Sequence, residues 1–203
     1  MIMAVTTEQI KALREATGAG IMDCRKALEA SDGDFEKAQE FLREKGMATA
    51  AKRADREASE GMVELYSHGN GRVGVMVEVN CETDFVARSE AFRTFAHEIA
   101  LQVAAGAPQY VHDEDIPAEV LDQEIQKARL VAREEGKPEA VVERIIDGKL
   151  EKFKNEVVLL RQLYIRDDSL TIQKLLMQNI GSIGENIIIR RFARWELGET
   201  TAN

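Results

Sequence analysis

Residues 72–80 alternate strictly, and this alternation constrains the fold more than any other feature of the sequence. Every second position is a valine, and the positions between hold small, apolar or polar residues (Val73, Val75, Val77 and Val79 against Gly74, Met76, Glu78 and Asn80). A period of two is typical of a β-strand with one face on a core. Residues 61–68 precede this segment across the turn sequence Gly69-Asn70-Gly71, so the pattern predicts an antiparallel hairpin.

Three short helices are predicted before the hairpin. Thr6 and Gln9 form a capping-box pair at the start of the first helix. A glycine-rich segment, residues 18–20, separates it from the second helix. Asp34 is a suitable N-cap for the third helix, which we expect to end at Gly46. Apolar residues recur at three- and four-residue spacing in all three helices, so they are predicted to pack as a small bundle.

The composition changes after this bundle. The bundle takes up residues 1–47, and in residues 48–60 six of the thirteen side chains are charged and alanines are the only apolar ones. We interpret residues 48–60 as a polar linker and as the domain boundary. The core domain then covers residues 61–203.

The rest of the core domain is predicted to be helical, except for a last strand. Helices are expected at residues 89–106 and 171–180. Two more helices are expected to pair as an antiparallel helical hairpin over residues 118–146, with a turn at residues 136–138. A final strand is expected at residues 186–197. Because strands come before and after the helices without βαβ alternation, the predicted fold class is α+β with a small antiparallel sheet.

The overall charge excludes several classes of partner. The 203 residues include 36 acidic and 27 basic side chains, for a net charge of −9. Nonspecific nucleic-acid binding needs a positive field that displaces counterions, and anionic membranes attract basic segments. We therefore expect neither a nucleic acid nor a membrane as partner. The mixed charges of residues 119–154 are either a solvated helical face or a partner surface.

The cysteines and the N-terminal sequence indicate whether the protein holds a structural metal and whether it is secreted. The two cysteines, Cys24 and Cys81, belong to no C-x-x-C pair, and only three histidines are available. A structural zinc site is therefore not expected. The N-terminus lacks a charged region followed by an apolar run, so a secretory signal is not expected either. We predict a soluble, cytoplasmic protein.

The sequence contains none of the common catalytic motifs. G-x-S-x-G, H-E-x-x-H and the phosphate-binding G-x-x-x-x-G-K-[ST] are all absent, so we expect no cofactor and no enzymatic activity. Cys81 beside Glu82 is either a nucleophile or an unreactive thiol, and the sequence offers no neighbouring base. Residues 181–184 have the G-x-x-G pattern of a loop that binds nucleic-acid backbones. Their place between a helix and a strand favours a helix C-terminus instead.

The segment Thr83–Arg88 is unusual because it places an aromatic residue between charged ones. It lies between the end of a predicted strand and the start of a predicted helix. A phenylalanine in such a loop normally packs into the core, and this is the first interpretation of Phe85. The alternative is a rigidly presented aromatic side chain, which is the usual anatomy of a binding hot spot.

Two long segments carry a family resemblance. The first is residues 13–28 (LREATGAGIMDCRKAL) and the second is residues 78–88 (EVNCETDFVAR). Both resemble the bacterial elongation factor Ts family, whose members exchange the guanine nucleotide of elongation factor Tu. Weaker agreement extends over essentially the whole chain.

The resemblance implies a particular architecture. It implies a ubiquitin-associated-like three-helix module at residues 1–47 and a core domain with a three-stranded antiparallel sheet. The chain resembles the short, single-core form of the family, because the hairpin motif occurs once. In short relatives a dimer replaces the missing duplicate, so a homodimer is implied. Some of them carry a cysteine that could bridge the dimer at the position of Ala193, where this chain cannot form that bridge.

The resemblance also implies contact residues. In the family, an Asp-Phe pair intrudes near the magnesium site of the partner GTPase. The matching residues lie in one segment of this chain: Thr83, Asp84, Phe85 and Val86. The N-terminal module contacts another helix of the partner, and its matching positions are Arg14, Ile21 and Met22. The implied function is to bind elongation factor Tu, displace magnesium and promote GDP release so that GTP can bind.

Two other classes of function stay open at the level of sequence. A three-helix module alone is compatible with an adaptor for ubiquitin-like domains, but that reading leaves residues 78–88 unexplained. A G-x-x-G nucleic-acid binder is the other alternative, and the net charge of −9 disfavours it.

Overall fold

The structure is a computed structural model that describes residues 5–136 and 138–199. The ends of the predicted bundle and core domain, residues 1–4 and 200–203, lie outside the described residues, as does residue 137 in the predicted turn.

Eight α-helices and five strands occur in the described part of the chain. The helices are α1 (Thr7–Thr17), α2 (Ile21–Ala30), α3 (Phe35–Ala51), α4 (Asp84–Ala87), α5 (Glu90–Gly106), α6 (Ala118–Glu134), α7 (Glu139–Val157) and α8 (Ile172–Ile183). The strands are β1 (Glu60–His68), β2 (Val73–Cys81), β3 (Leu163–Tyr164), β4 (Asp167–Thr171) and β5 (Ile187–Glu196). Short 3-10 helices lie at Asp113–Asp115 and Leu159–Arg161.

The strands confirm the predicted α+β class. β1, β2 and β5 form a three-stranded antiparallel sheet in the order β1-β2-β5. The alternating valines of β2 are all buried, as their spacing predicts. β3 and β4 form a second, antiparallel sheet in which Leu163 pairs with Thr171. This small sheet is absent from the sequence prediction, because strands of two and five residues are too short to show a period.

The chain folds into two compact units. The first contains the described residues up to Val63, together with Glu78–Ala96 and Lys174–Ile189. The second contains Glu64–Val77, His97–Gln173 and the described residues from Arg190 onward.

Within the first unit, α1, α2 and α3 pack around a small apolar core. The Thr6 hydroxyl accepts a hydrogen bond from the Gln9 amide at 3.2 Å, and the Gln9 side chain accepts one from the Thr6 amide at 2.9 Å, so the predicted capping box is confirmed. Asp34 caps α3 by accepting a hydrogen bond from the Lys37 amide at 3.1 Å. The buried residues of this core are Leu13, Cys24, Ala27, Leu28, Ala38 and Leu42.

The prediction that the third helix ends at Gly46 is wrong, because α3 continues to Ala51. Gly46 is instead the place where α8 approaches α3. A Cβ atom added to Gly181 would lie 2.8 Å from the Cα atom of Gly46, closer than real Cβ contacts. Gly181 is therefore needed for the close approach of the two helices, whereas a Cβ atom on Gly46 would make an ordinary contact at 3.9 Å. The first residues of the predicted linker are helical.

The helix predicted at residues 171–180 extends to Ile183, so it includes part of the G-x-x-G segment. Gly184 then adopts a positive φ of 93°, and its amide donates a hydrogen bond to the Ile180 carbonyl at 3.0 Å. This is a glycine-terminated helix end. Because Gly181 lies inside the helix, the segment is a helix C-terminus and not a backbone-binding loop.

Within the second unit, α6 and α7 form the predicted helical hairpin. Ala128 and Ala132 of α6 share a buried cluster with Val142 and Ile146 of α7. The prediction that the second helix ends near Ile146 is wrong, because α7 runs to Val157. The residues after Ile146 continue to find apolar contacts, which stabilise the longer helix. Leu150 packs against the cluster between α6 and α7, and Phe153 and Val157 pack in a second cluster with Ile116. None of the described helices combines the length and the apolar surface needed to cross a bilayer.

Candidate functional site

The N-terminal contact residues implied by the family resemblance lie at the joint between α1 and α2. Gly18 ends α1 with a φ of +67°, and its amide donates a hydrogen bond to the Arg14 carbonyl at 2.8 Å. Gly20 has extended backbone and begins α2. Arg14 is exposed in the last turn of α1, and Ile21 and Met22 occupy the first two positions of α2. The short connection therefore brings the three candidate residues to one end of the bundle.

Ile21 and Met22 are exposed in the first turn of α2, although Ile21 lies on the same face of the helix as the buried Cys24 and Leu28. Their exposed fractions are 57% and 61%, whereas Cys24, Ala27 and Leu28 on the same helix are fully buried. Two large, exposed apolar side chains next to each other at the start of a helix are typical of a surface that binds a partner. We call Arg14, Ile21 and Met22 the bundle surface.

The second group of candidate residues lies on a single helical turn. Thr83 is the N-cap of α4 and its hydroxyl accepts a hydrogen bond from the Val86 amide at 3.4 Å. Phe85 is 81% exposed, so the interpretation of Phe85 as a core residue is wrong for the described chain. Asp84 forms an exposed ion pair with Arg88 at 3.0 Å, one turn away. We call Thr83–Ala87 the Phe85 turn.

The Phe85 turn has no apolar core of its own, since α4 has no buried residue. Polar contacts hold it instead. The carboxylate of Glu185 accepts hydrogen bonds from the amides of Glu82 and Thr83 at 3.1 and 3.0 Å, both through Oε2. Its other oxygen, Oε1, accepts one from the Thr83 hydroxyl at 2.6 Å. Charge-assisted hydrogen bonds of this kind are shorter and stronger than neutral ones.

A second set of hydrogen bonds joins residues 82–83 and 185–186 with donor and acceptor exchanged. The amide of Asn186 donates a hydrogen bond to the Glu82 carboxylate at 2.7 Å. The Asn186 side chain is only 2% exposed, and its amide group donates to the carbonyls of Ala54 and Arg56 at 3.3 and 2.7 Å. Arg56 also pairs with Glu82 at 3.5 Å. The chain immediately after α3 is therefore bonded to the same place.

Cys81 directly precedes these residues and is fully buried. Its thiol donates a hydrogen bond to the Thr83 carbonyl at 3.2 Å. Burial raises the pKa of Cys81 to about 11, and the nearby Glu185 carboxylate adds to the increase. Because the thiolate is the reactive form, this environment favours the unreactive thiol over the nucleophile. Cys24 is likewise free and buried.

The structure offers little for a metal ion. Within residues 5–136 and 138–199, no group of three or more His, Cys, Asp or Glu side chains is arranged to hold one. A shallow cavity of about 370 Å³ lies beside the Phe85 turn, and its lining mixes both charges: Glu60 and Asp84 with Arg88 and Arg93.

The family resemblance pointed to the residues of both surfaces, but nothing in the sequence pointed to the residues that support one of them. Glu185 and Asn186 directly follow Gly184, the glycine end of α8, and belong to no local motif. Their partners at residues 82–83 lie 102 to 104 positions away, and no local pattern reveals such a pairing.

Comparison with known proteins gives this arrangement a family. A sequence model described as Elongation factor TS matches residues 32–199. Elongation factor Ts of Carboxydothermus hydrogenoformans is 55% identical over 198 residues, covering 98% of this chain and 91% of that protein. Elongation factor Ts of Moorella thermoacetica is 56% identical over 195 residues, covering 96% of each chain. The corresponding protein of Caldanaerobacter subterraneus is also 56% identical over 195 residues, 96% of this chain and 98% of that one.

These matches place the chain among the translation elongation factors. Within that class it belongs to the elongation factor Ts family, since both the family match and the relatives cover most of its length.

Proposed function

We propose that this protein is the guanine-nucleotide exchange factor of elongation factor Tu. It binds the GDP-bound GTPase, displaces magnesium and promotes GDP release, and the nucleotide-free complex then accepts GTP. It works in the cytoplasm, holds no cofactor and has no catalytic site of its own. The observation that carries the proposal is Phe85, which is 81% exposed on a rigidly held turn within the segment that resembles the family.

The free energy of exchange shows that Phe85 alone is not enough. A factor that shifts its partner roughly 10⁴-fold towards the nucleotide-free state must prefer that state by about 5.5 kcal/mol. Burying one phenylalanine contributes only about 2–3 kcal/mol. Coupling is reciprocal, so the factor and the nucleotide each weaken the binding of the other.

A second contact must supply the difference, and the bundle surface is suited to that role. We propose that α1–α3 act as a ubiquitin-associated-like module whose Arg14, Ile21 and Met22 hold a helix of the nucleotide-binding domain. The exposed fractions of Ile21 and Met22 leave most of their apolar area available for that contact. Thr83, Asp84, Phe85 and Val86 then act near the magnesium ion of the GTPase. Residues 48–60 and 61–203 remain, in this proposal, the linker and the core domain.

We also propose a homodimer that binds two GTPases. Leu65, Met76 and Trp195 are exposed on β1, β2 and β5. The neighbouring residues on each strand face the other side of the sheet, towards α5. Tyr66, next to Leu65, contacts the ring of His97 edge-on, with 5.5 Å between the ring centroids. Val75 and Val77, on either side of Met76, are buried. Arg194, next to Trp195, donates a hydrogen bond to the Ala104 carbonyl. An exposed apolar sheet face suits a two-fold contact with a second copy.

Light scattering tests the dimer. We expect the mass of a dimer at micromolar concentration, unchanged by reducing agent because both cysteines are free and buried. Leu65→Glu should give a monomer, whereas Leu130→Glu on the exposed face of α6 should not. A stable wild-type monomer, both alone and with elongation factor Tu, would remove the dimer from the proposal.

The exchange function is tested by the release of a fluorescent GDP analogue from elongation factor Tu. We expect release to accelerate with the concentration of this protein and then to saturate. The two alternatives have direct readouts of their own: binding to ubiquitin for the adaptor, and a salt-dependent gel shift for the nucleic-acid binder. Unchanged GDP release at saturating protein would reject the proposed function.

A further inference from the structure

We propose that Glu185 is a positioning residue for Phe85, and that Asn186 extends its effect to the chain that follows α3. The inference rests on the proposed function, because it assigns to Glu185 the task of holding the Phe85 turn ready for the GTPase. We call Glu82, Thr83, Glu185 and Asn186 the junction.

The Phe85 turn needs external support. A helix of four residues, Asp84–Ala87, is far too short to be stable alone, because nucleation costs more than one turn of hydrogen bonds returns. It also lacks a buried side chain that would anchor it to a core. Val86 and Ala87 are only partly buried, so contacts at the ends of the turn are needed to orient Phe85.

Glu185 supplies those contacts at the N-terminal end. Its carboxylate uses both oxygens and accepts three hydrogen bonds from residues 82 and 83, at 3.1, 3.0 and 2.6 Å. Two of the donors are backbone amides, so the bonds fix the direction of the chain as well as a side chain. Thr83 is the N-cap of α4, and holding it determines where the helix begins and where Phe85 points.

Glu185 is itself held in place by its neighbours. It follows Gly184, the glycine end of α8, and precedes Asn186, whose amide donates to Glu82 at 2.7 Å. The two segments are thus bonded in both directions, which leaves little freedom for rotation of one against the other.

Asn186 ties the junction to the end of the bundle. Its buried side chain donates to the carbonyls of Ala54 and Arg56, and Arg53 donates to the Ile180 carbonyl at 3.2 Å. Upstream, α3 and α8 approach at Gly46 and Gly181. Residues 180–186, at and just after the C-terminal end of α8, are therefore bonded both to the chain that follows α3 and to the Phe85 turn. A factor with two contacts on one GTPase domain gains most when the contacts are preorganised in this way.

The test uses Glu185→Gln, which keeps the size of the side chain but removes the charge and one acceptor oxygen. The matched control is Glu119→Gln, the same change at an exposed position on α6. The maximal rate of GDP release at saturating factor is expected to fall about tenfold or more for Glu185→Gln. The concentration for half-maximal release should change less than threefold, because the bundle surface is intact. Release should be unaffected in the control.

A double mutant separates positioning from stability. If Glu185 acts through Phe85, adding Glu185→Gln to Phe85→Ala should slow release by less than about twofold beyond Phe85→Ala alone. A purely structural role for Glu185 would instead give multiplying effects in the double mutant, and that outcome would overturn the inference. Wild-type release by Glu185→Gln, beside slowed release by Phe85→Ala, would overturn it as well.

A measurement on the free protein keeps this inference distinct from the proposed function. Amide hydrogen exchange at residues 84–88 should become at least about tenfold faster in Glu185→Gln, with no change in α1 or α6. Unchanged protection would reject the positioning role whatever the exchange assay shows. Faster hydrogen exchange with wild-type GDP release by Phe85→Ala would uphold the positioning of Phe85 and reject its proposed use. If Glu185→Gln does not fold, Glu185→Asp, which keeps the charge but shortens the side chain by one methylene, takes its place in all three assays.

Discussion

The bundle surface and the Phe85 turn both expose large apolar side chains but are supported in opposite ways. Beneath Ile21 and Met22 lies an apolar core that includes Leu13, Cys24 and Leu28. Beneath Phe85 there is no buried residue of the same helix, and the turn is held by the carboxylate of Glu185. A hydrophobic core is non-directional and roughly additive in buried area. Hydrogen bonds to a carboxylate are directional, so they suit a residue whose orientation matters more than its area.

This difference predicts how each surface fails. The bundle surface should be lost when its core is damaged, together with the folding of α1–α3. The Phe85 turn should be lost through polar substitutions that leave most of the stability intact. The predictions below test that contrast.

The largest effect is expected for Leu13→Ala. Leu13 is fully buried in the bundle core, so the change should destabilise α1–α3 by about 2–5 kcal/mol. Affinity for elongation factor Tu should fall as the bundle surface disorders. Thermal melts followed by circular dichroism, beside titrations with the GTPase, measure both effects. Full affinity with a destabilised bundle would show that the bundle surface is not a contact.

Phe85→Ala should have its effect on exchange and not on folding. Loss of about 2–3 kcal/mol of buried area in the complex corresponds to roughly 30- to 150-fold slower GDP release. The melting temperature should stay close to that of the wild type, because Phe85 is 81% exposed. Leu130→Ala, at another exposed apolar position on α6, is the matched control. A large loss of stability with normal exchange in the folded fraction would contradict the contrast.

Met22→Ala should weaken binding more mildly. Met22 is exposed at the start of α2, so the change should cost about 1–2 kcal/mol of affinity for the GTPase and little stability. Half-maximal release should need more factor, while the maximal rate changes little. Stopped-flow GDP release across a range of factor concentrations separates the two quantities. A reduced maximal rate with unchanged half-saturation would assign Met22 to the exchange step itself.

The smallest effect is expected when the folded protein is treated with a thiol-alkylating reagent. Since the pKa of Cys81 is raised to about 11, its thiolate fraction at pH 8 is about 0.1%, and burial blocks access as well. Alkylation of the folded protein should be at least about a hundredfold slower than after unfolding, and should rise with pH without a plateau up to pH 10. Peptide mass spectrometry resolves Cys81 from Cys24. Rapid labelling of Cys81 in the folded protein would show that the junction opens readily.

Several parts of this protein follow from signals between near neighbours in the sequence. The alternating valines predicted β2, and the Thr6–Gln9 box and Asp34 predicted the starts of α1 and α3. The apolar spacing within α2 predicted its buried face, although Ile21 at the start of that spacing is exposed. Each of these signals lies within one element, where a period or a cap relates residues a few positions apart.

The presentation of Phe85 depends on contacts that form only in the folded chain. A single helical turn is too short to show a period, so neither burial nor exposure of Phe85 follows from its neighbours. Gly46 has the sequence signature of a helix end, yet α3 continues through it, and Gly181 lies against it in the folded chain. Glu185 reaches Thr83 across 102 positions of the chain. Contacts of this kind exist only after the chain has closed on itself, and no local pattern in the sequence encodes them.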